Sequence, residues 1–425
     1  MMISIVEAGS ALCSAPGVRR PAYHRQPNWR RLRYAAMLLL YSLLVALAGC
    51  GGPTTDGSEG VATDIPIVES LDGFEPCSLP TRSATEPVVE LPLRERYPCR
   101  IVAVPTETEF RSDPAGGYPD PLPGLAGVWR SIAKDSHGRY YTSSREPAIL
   151  AWNADGTLRG VVGRQGEGPG EFTNRVRAIF VDADDNVHVG DPGDRWLIFS
   201  EDLEFLREWQ GPTWDPRSVH LLGDNRLLLT GPYSGAPDSV FHLFAEGEGL
   251  VSSVGTPRPG RAQHLQRRSR PSHVDDSGLW IAPAGGTGEG YVLEHRTLDG
   301  RLERVLQREV PGLPLTGTPD EPSGPEFRIL RVDDQGVLWV GVVVQDAKWR
   351  PDAVGWELGD FRFEAVSPES GEVLAAVVYD SIPSNDHPPL YPVQGTSREV
   401  IGMTTNPSGL ATIRIYELHL VRNVE

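Results

Sequence analysis

Five arginines stand at a constant distance from a turn that repeats along the chain. Each lies eight residues before a polar residue that closes the turn, and the pairs are Arg130 and Gly138, Arg177 and Asp185, Arg217 and Asn225, Arg270 and Gly278, and Arg328 and Gly336. A guanidinium group donates two parallel hydrogen bonds to one carboxylate or phosphate, so arginines gathered in one place are suited to binding an anion. The same groups can instead pair with acidic side chains and tie neighbouring units together, because buried arginines are usually paired. The spacing leaves both roles open.

Two histidines also stand at a constant distance from the repeating turn. His220 and His273 each lie five residues before a turn residue, and such equivalent positions could converge on one metal ion. The other units carry Ala133, Phe180 and Arg331 at this position, so no third ligand follows. The sequence therefore predicts no metal at these histidines.

Residues 182–186 (DADDN) begin like a calcium-binding loop. Val187 stands where that loop requires glycine, and Gly193 stands where it requires a bidentate glutamate. A hairpin turn is therefore favoured over a calcium site. The chain also lacks Gly-x-Ser-x-Gly, His-Glu-x-x-His and Cys-x-x-Cys motifs. We predict no catalytic residue, no metal and no cofactor.

The elements that position these residues are short apolar runs separated by turn formers. In residues 163–199 a glycine-rich segment precedes Phe172. After it, apolar runs at 178–181, 187–189 and 196–199 alternate with polar turns. This spacing is typical of antiparallel β-structure. The motif GEGPGEF, the turn VDADDNVHVGD and the following Arg195 resemble the NHL repeat of bacterial six-bladed β-propellers.

The resemblance implies a propeller, and the count of turn residues agrees with it. Ser397 adds a sixth turn residue, which gives six units of roughly 49 residues, within the range of propeller blades. We predict an all-β, six-bladed propeller of four-stranded antiparallel blades over residues 99–425. The last unit shows three strands only, so the strand CRIVAV at residues 99–104 is expected to close the ring as its outer strand.

The residues ahead of the propeller carry the pattern of an export signal. A basic run (Arg30, Arg31, Arg33) precedes the apolar residues 35–48, and Leu-Ala-Gly-Cys ends at Cys50. We predict a lipoprotein signal peptide at residues 1–49, lipid attachment at Cys50, and a lipidated tether and linker at residues 50–98. A plain secretion signal or an anchor helix is the alternative. Gly51 favours the outer membrane of the cell envelope over the inner one.

An oxidising compartment makes a disulfide between Cys77 and Cys99 plausible, with two free thiols as the alternative. The formal net charge of −17 at pH 7 argues against nucleic-acid binding. These observations predict a monomeric, membrane-tethered extracytoplasmic binding module, which recognises a small anionic ligand or an envelope protein partner at the mouth of the propeller channel. The alternative is a lactonase-like or amidating-lyase-like enzyme with a metal in the channel. The missing catalytic motifs favour binding.

Overall fold

The structure, a computed structural model, describes residues 65–81, 86–92, 94, 96–111, 132–144, 146–176, 178–191, 195–210, 218–222, 226–230, 241–254, 272–275, 278–282, 291–308, 325–345, 358–383, 391–405 and 411–423. The described residues form strands and turns without a helix. None of these segments therefore contains a helix with the length and apolarity of a membrane span. All of them belong to one compact unit.

The described strands form six blades. Two strands precede the first blade, β1 (Val88–Glu90) and β2 (Cys99–Arg111). Blade 1 contains β3 (Ile132–Lys134), β4 (Tyr140–Ser143), β5 (Ile149–Trp152) and β6 (Leu158–Val162); blade 2 contains β7 (Ala178–Val181), β8 (Val187–Asp191), β9 (Arg195–Phe199) and β10 (Phe205–Gln210); blade 3 contains β11 (Ser218–Leu222), β12 (Arg226–Thr230), β13 (Phe241–Ala245) and β14 (Gly249–Val254). Blade 4 contains β15 (Ser272–Asp275), β16 (Gly278–Ile281), β17 (Tyr291–Arg296) and β18 (Leu302–Arg308); blade 5 contains β19 (Glu326–Val332), β20 (Leu338–Gln345), β21 (Leu358–Ser367) and β22 (Glu372–Pro383); blade 6 contains β23 (Tyr391–Pro392), β24 (Glu399–Thr405), β25 (Ala411–Arg422) and β2.

The blades are antiparallel meanders, as the sequence predicts. The first strands of successive blades contact one another: β3 contacts β7, β7 contacts β11, β11 contacts β15, and β15 contacts β19. These strands therefore surround the central axis. Burial follows this order: in blade 2 every residue of β8 is buried, whereas β10 is largely exposed. Inner strands are covered by a neighbouring blade on both faces, which explains why their sequences are continuous apolar runs rather than alternating ones. We call the end that carries the turns between first and second strands the turn end.

The predicted closing strand is confirmed and is longer than expected. β2 pairs antiparallel with β25 from Cys99 opposite Arg422 to Arg111 opposite Thr412. Its far end also contacts blade 1, because the Thr108 hydroxyl donates to the Ala154 carbonyl at 2.6 Å. The strand therefore completes blade 6 and joins it to blade 1.

The sequence predicts a lipidated tether and linker at residues 50–98, and the part of it that the structure describes, from Ile65 onwards, packs on the propeller. We call this part the strap. Ile65 is 1% exposed. The Val68 amide donates to the carbonyl of Ala103, a residue of β2, at 3.0 Å. Further along, β1 adds to blade 4 as a fifth strand, parallel to β18. Backbone pairing at sheet edges explains this attachment, since it requires little apolar sequence.

The strap returns to blade 6 across blade 5. Arg94 pairs with Glu372 on β22 at 2.8 Å, and Arg362 on β21 donates to the Tyr97 hydroxyl at 3.4 Å. Cys77 and Cys99 then form a disulfide with their Cα atoms 5.8 Å apart. The strap thus contacts the outer strands of blades 4, 5 and 6 and is closed into a loop.

We expect a glycine at the ring closure to be far less replaceable than a matched glycine elsewhere. Gly156 (φ 83°) and Gly336 (φ 80°) both close tight turns in the left-handed region. A Cβ atom on Gly336 would meet nothing within 4 Å, whereas one on Gly156 would lie 2.6 Å from the carbonyl carbon of Glu109 on β2. Gly336→Ala should cost about 1–2 kcal/mol of backbone strain, and Gly156→Ala should exceed that by about 1–3 kcal/mol. Equal urea midpoints for the two variants would contradict the close approach of β2.

Candidate ligand-binding site

A cationic side chain crosses from blade 5 to blade 6 near the turn end. Arg331 lies on β19, opposite Trp339 on β20, and its Nη1 donates to the backbone carbonyl of Val393 at 2.8 Å. Val393 follows the short first strand of blade 6 and is fully buried. The direction of the side chain is set by the strand, because side chains on a blade point alternately at its two neighbours. Arg331 therefore lies in the seam between blades 5 and 6.

The charge of Arg331 is poorly compensated. Burial lowers the pKa of Arg331 to about 10, against the attraction of Glu399 and Asp333. Among the described residues no carboxylate lies within ion-pair distance of Arg331, and its direct partner is a neutral carbonyl. The guanidinium stays charged at neutral pH, since its pKa is still well above 7. The seam thus holds a partly desolvated positive charge that an anion could neutralise.

The two nearby carboxylates are already engaged with other groups. Glu399 on β24 forms an ion pair with Lys134 of blade 1 and accepts a hydrogen bond from the Tyr140 hydroxyl at 3.1 Å. Burial would lower the pKa of Lys134, but the bonds to Glu399 and Tyr140 outweigh it and raise that pKa. Asp333 accepts hydrogen bonds from the Trp339 indole at 2.9 Å and from two backbone amides of its own turn. Neither group is free to approach Arg331.

A small pocket opens beside Arg331. The empty space between its walls is about 270 Å³ and includes open solvent, while the room inside it is about that of one water molecule. Ile329, Trp339, Phe363 and Leu418 form its apolar wall, and Ser397, Arg398 and Glu399 lie at its rim. An apolar wall with a few polar groups at its rim is typical of a small-ligand site, but this pocket is far smaller than the sites of drug-sized ligands.

The rim carries a second arginine. Nε of Arg398 lies 3.3 Å from Oδ1 of Asp334, and Nη2 lies 3.5 Å from Oε1 of Glu417. The Arg398 Nε nevertheless makes no hydrogen bond, so these are ion pairs of poor geometry. Both carboxylates are exposed, at 57% and 40%, and interactions between exposed charges are weak. Arg398 is therefore able to turn towards a ligand in the pocket at low cost.

The structure describes only one of the five arginines that the sequence singles out. Arg130, Arg177, Arg217 and Arg270 lie outside the described residues. Arg328 lies on β19 at a β-bulge, where the pairing skips from Phe327 to Ile329, and it is partly buried. A bulge re-aims the side chain that it carries. That these five arginines together bind an anion at the channel mouth opposite the turn end stays a prediction. Lipid attachment at Cys50 also stays a prediction, because Cys50 lies outside the described residues.

The motif that resembles the NHL repeat has a structural role here. Phe172, at the end of GEGPGEF, is fully buried in the cluster between blades 1 and 2. Arg195 holds the glycine-rich loop by donating to the carbonyl of Glu171 at 2.7 Å, and it pairs with Asp191 at 3.0 Å. Thr173 donates its backbone amide to the same aspartate at 2.9 Å. These side chains are occupied in bracing the loop.

The structure also places the calcium-like turn and the two histidines that the sequence singles out. Asp182 accepts hydrogen bonds from the amides of Asp184 and Asn186, as in a hairpin turn. His220 and His273 are partly buried on β11 and β15. Within the described segments, neither belongs to a group of three side chains with metal-binding geometry. Arg331 occupies the same register as these histidines, and that register was the only sequence signal for it.

The fold defines this protein as a six-bladed β-propeller, with a pocket between two blades as its candidate site. No protein-family model and no curated protein matches the chain. Similar solved structures include a protein from Bacteroides fragilis named as a candidate exported protein, at 10% identity and a TM-score of 0.47 over 79% of this chain and 100% of that one. They also include the WD40 β-propeller domain of Doa1, at 11% identity and a TM-score of 0.41 over 68% and 78% of the two chains. A protein of unknown function from Bacteroides caccae has 14% identity and a TM-score of 0.38 over 59% and 81%.

Proposed function

We propose that this protein is an extracytoplasmic binding module that takes a small carboxylate in the pocket beside Arg331. The observation that carries the proposal is the guanidinium of Arg331, which is partly withdrawn from water, has a neutral carbonyl as its direct partner and borders an apolar pocket. A ligand carboxylate would restore the missing counter-charge and could form two parallel hydrogen bonds with the guanidinium.

The pocket also indicates what the rest of the ligand is like. Its apolar wall favours a hydrocarbon group attached to the carboxylate, and its small size admits only a short one, such as the methyl group of acetate. Glu399 on the rim disfavours a second acidic group on the ligand. The net charge of −17 likewise repels polyanions at longer range. The preferred ligand is therefore an apolar monocarboxylate.

The cellular setting belongs to the same proposal. The apolar residues 35–48 that end at Cys50 support export and lipid attachment, and Gly51 supports the outer membrane. The disulfide between Cys77 and Cys99 supports an oxidising compartment, because such bonds rarely persist in the cytosol. The absence of catalytic motifs from the sequence supports binding over catalysis.

Thermal unfolding with acetate and with its uncharged analogue acetamide tests the proposal. We expect acetate, and not acetamide, to raise the unfolding temperature, since a ligand at ten times its Kd adds about 1.4 kcal/mol of stability. Arg331→Gln should abolish the shift. The matched control is Arg422→Gln, whose side chain is 66% exposed and pairs with Glu75 at the surface, and this variant should keep the shift.

Two other outcomes would decide against this pocket. A shift that survives Arg331→Gln and is lost in the double variant Arg177→Ala with Arg270→Ala would place the anion among the arginines at the opposite end. Equal stabilisation by acetate and acetamide would show that charge is not recognised, and the proposal would fail.

A further inference from the structure

Three potential metal ligands meet at the seam between blades 1 and 2, on the turn end. His137 lies in the turn between β3 and β4, Asp185 in the turn between β7 and β8, and Glu201 in the turn between β9 and β10. Nε2 of His137 is 3.4 Å from Oδ2 of Asp185 and 3.4 Å from Oε2 of Glu201. One ligand atom from each of the three lies within 4.8 Å of the other two. They form the one such group among the residues that the structure describes.

The two distances from Nε2 of His137 fit a small divalent ion. A tetrahedral zinc ion binds nitrogen and oxygen at about 2.0–2.2 Å, which places two of its ligand atoms roughly 3.3 Å apart. One imidazole nitrogen with two carboxylate oxygens is also a common ligand set for such ions. An imidazole ligand disfavours calcium and magnesium, which take oxygen ligands. His137 is 59% exposed, so a water molecule has access to the remaining position.

Each carboxylate is held in place by residues of blade 1. The Ser136 hydroxyl and amide donate to the two oxygens of Asp185 at 2.6 and 2.9 Å. Arg159 donates to the backbone carbonyl of Glu201 at 2.6 Å, and Arg139 donates to its Oε2 at 3.1 Å. Ligating carboxylates normally accept such hydrogen bonds, which orient them. The two carboxylates are therefore positioned before any ion binds.

The position of Asp185 is also informative. Its φ is 61°, in the left-handed region, and the equivalent turn residues of blades 1 and 5 are Gly138 and Gly336. Glycine adopts this conformation without strain, so an aspartate there carries a conformational cost. What the aspartate adds is a carboxylate directed at blade 1.

We propose that His137, Asp185 and Glu201 form a binding site for a zinc-class divalent ion that joins blade 1 to blade 2. The charges agree with a cation at this place. Arg139 pairs with Asp135 at 2.5 Å and with Glu201 at 3.1 Å, so the three carboxylates of Asp135, Asp185 and Glu201 exceed this one guanidinium by two negative charges. The site lies in a different seam from the pocket beside Arg331 and does not depend on the function proposed for it.

Calorimetric titration of the full chain, prepared without a polyhistidine tag, with Zn²⁺ tests the site. We expect one strong site that His137→Asn and Glu201→Gln each weaken at least tenfold. Ser136→Ala leaves all three ligands in place but removes a hydrogen bond to Asp185. This variant should weaken Zn²⁺ binding about 10–100-fold. The matched control is His419→Asn, since His419 lies 3.6 Å from Glu417 without a third ligand, and this variant should bind as the wild type does.

Cobalt provides a second measurement. Co²⁺ bound in the site should show the visible absorption bands typical of four- or five-coordinate cobalt with nitrogen and oxygen ligands. Adding Zn²⁺ should displace the cobalt and remove these bands. The proposal is overturned if the full chain shows no strong site, or if His137→Asn and Glu201→Gln bind Zn²⁺ like the wild type while remaining folded by circular dichroism. Loss of the site in His419→Asn alone would overturn it as well.

Discussion

Replacing Glu364 by glutamine should lower the free energy of unfolding by about 3–5 kcal/mol, because it leaves a buried guanidinium without its counter-charge. Glu364 on β21 of blade 5 is fully buried, and both of its oxygens accept from Nη2 of Arg308 on β18 of blade 4 at 2.8 Å. Cζ of Arg308 also lies 4.0 Å from the centre of the Tyr291 ring. The pair therefore lies inside the seam between two blades, and urea denaturation would measure its loss.

Two controls separate this effect from ordinary loss of an ion pair. Glu75→Gln removes the partner of Arg422 from a pair whose side chains are 67% and 66% exposed, and it should cost under about 1 kcal/mol. The double variant Arg308→Met with Glu364→Leu should recover part of the stability, since it removes the buried guanidinium together with its partner. Arg362, which is 21% exposed, then loses its 3.1 Å contact with Glu364, and this limits the recovery. If Glu364→Gln were as stable as Glu75→Gln, the buried pair would not be a tie between the blades.

Replacing Phe110 by alanine should cost a similar amount, about 3–5 kcal/mol. Phe110 is fully buried near the end of β2, with its ring centre 5.4 Å from Tyr140 and 5.1 Å from Trp152 of blade 1. The cavity left by its ring would lie at the junction where the propeller closes. Loss of that contact should also release β2 and expose the edge of β25, so we expect faster aggregation on heating.

The comparison for Phe110 is an apolar residue on an outer strand. Leu206 on β10 is 50% exposed, and Leu206→Ala should change the free energy of unfolding by no more than about 0.5 kcal/mol. Guanidinium denaturation of both variants measures the difference. A loss for Phe110→Ala that is no larger than the loss for Leu206→Ala would show that β2 contributes little to closing the ring.

The blades were predictable from the sequence because their signals are local. Gly138, Asp185 and Gly336 all have positive φ in the turns where the spacing places them. Tight turns with few tolerated residues mark the chain at regular intervals. The strap was not predicted, since β1 (Val88–Glu90) joins blade 4 through backbone hydrogen bonds to a strand more than two hundred residues away. Such pairing leaves no periodic pattern in the side chains.

The candidate sites were less predictable than the fold, for a related reason. The position of Arg331 beside its pocket depends on the Val393 carbonyl of the next blade. The three potential metal ligands between blades 1 and 2 come from three separate turns. Neither arrangement is visible in a single repeat. The spacing of the arginines predicts a cationic position at Arg328 and its equivalents, and that stays a prediction. Arg331 stands three residues beyond Arg328, at the position where two other blades carry His220 and His273.

The strap and its disulfide determine how the propeller would respond to a pulling force. Tension on the chain ahead of Ile65 would first meet the contacts of Pro66 and Val68 with Ala103, and would then reach Cys77. The bond from Cys77 to Cys99 passes the force directly into the start of β2, where Cys99 is paired with Arg422. The chain between the two cysteines, which includes β1, is thereby bypassed and carries no tension. Pulling on the chain ahead of Ile65 would therefore strain the closing strand, while the strap over blades 4 and 5 stayed free of tension and in place.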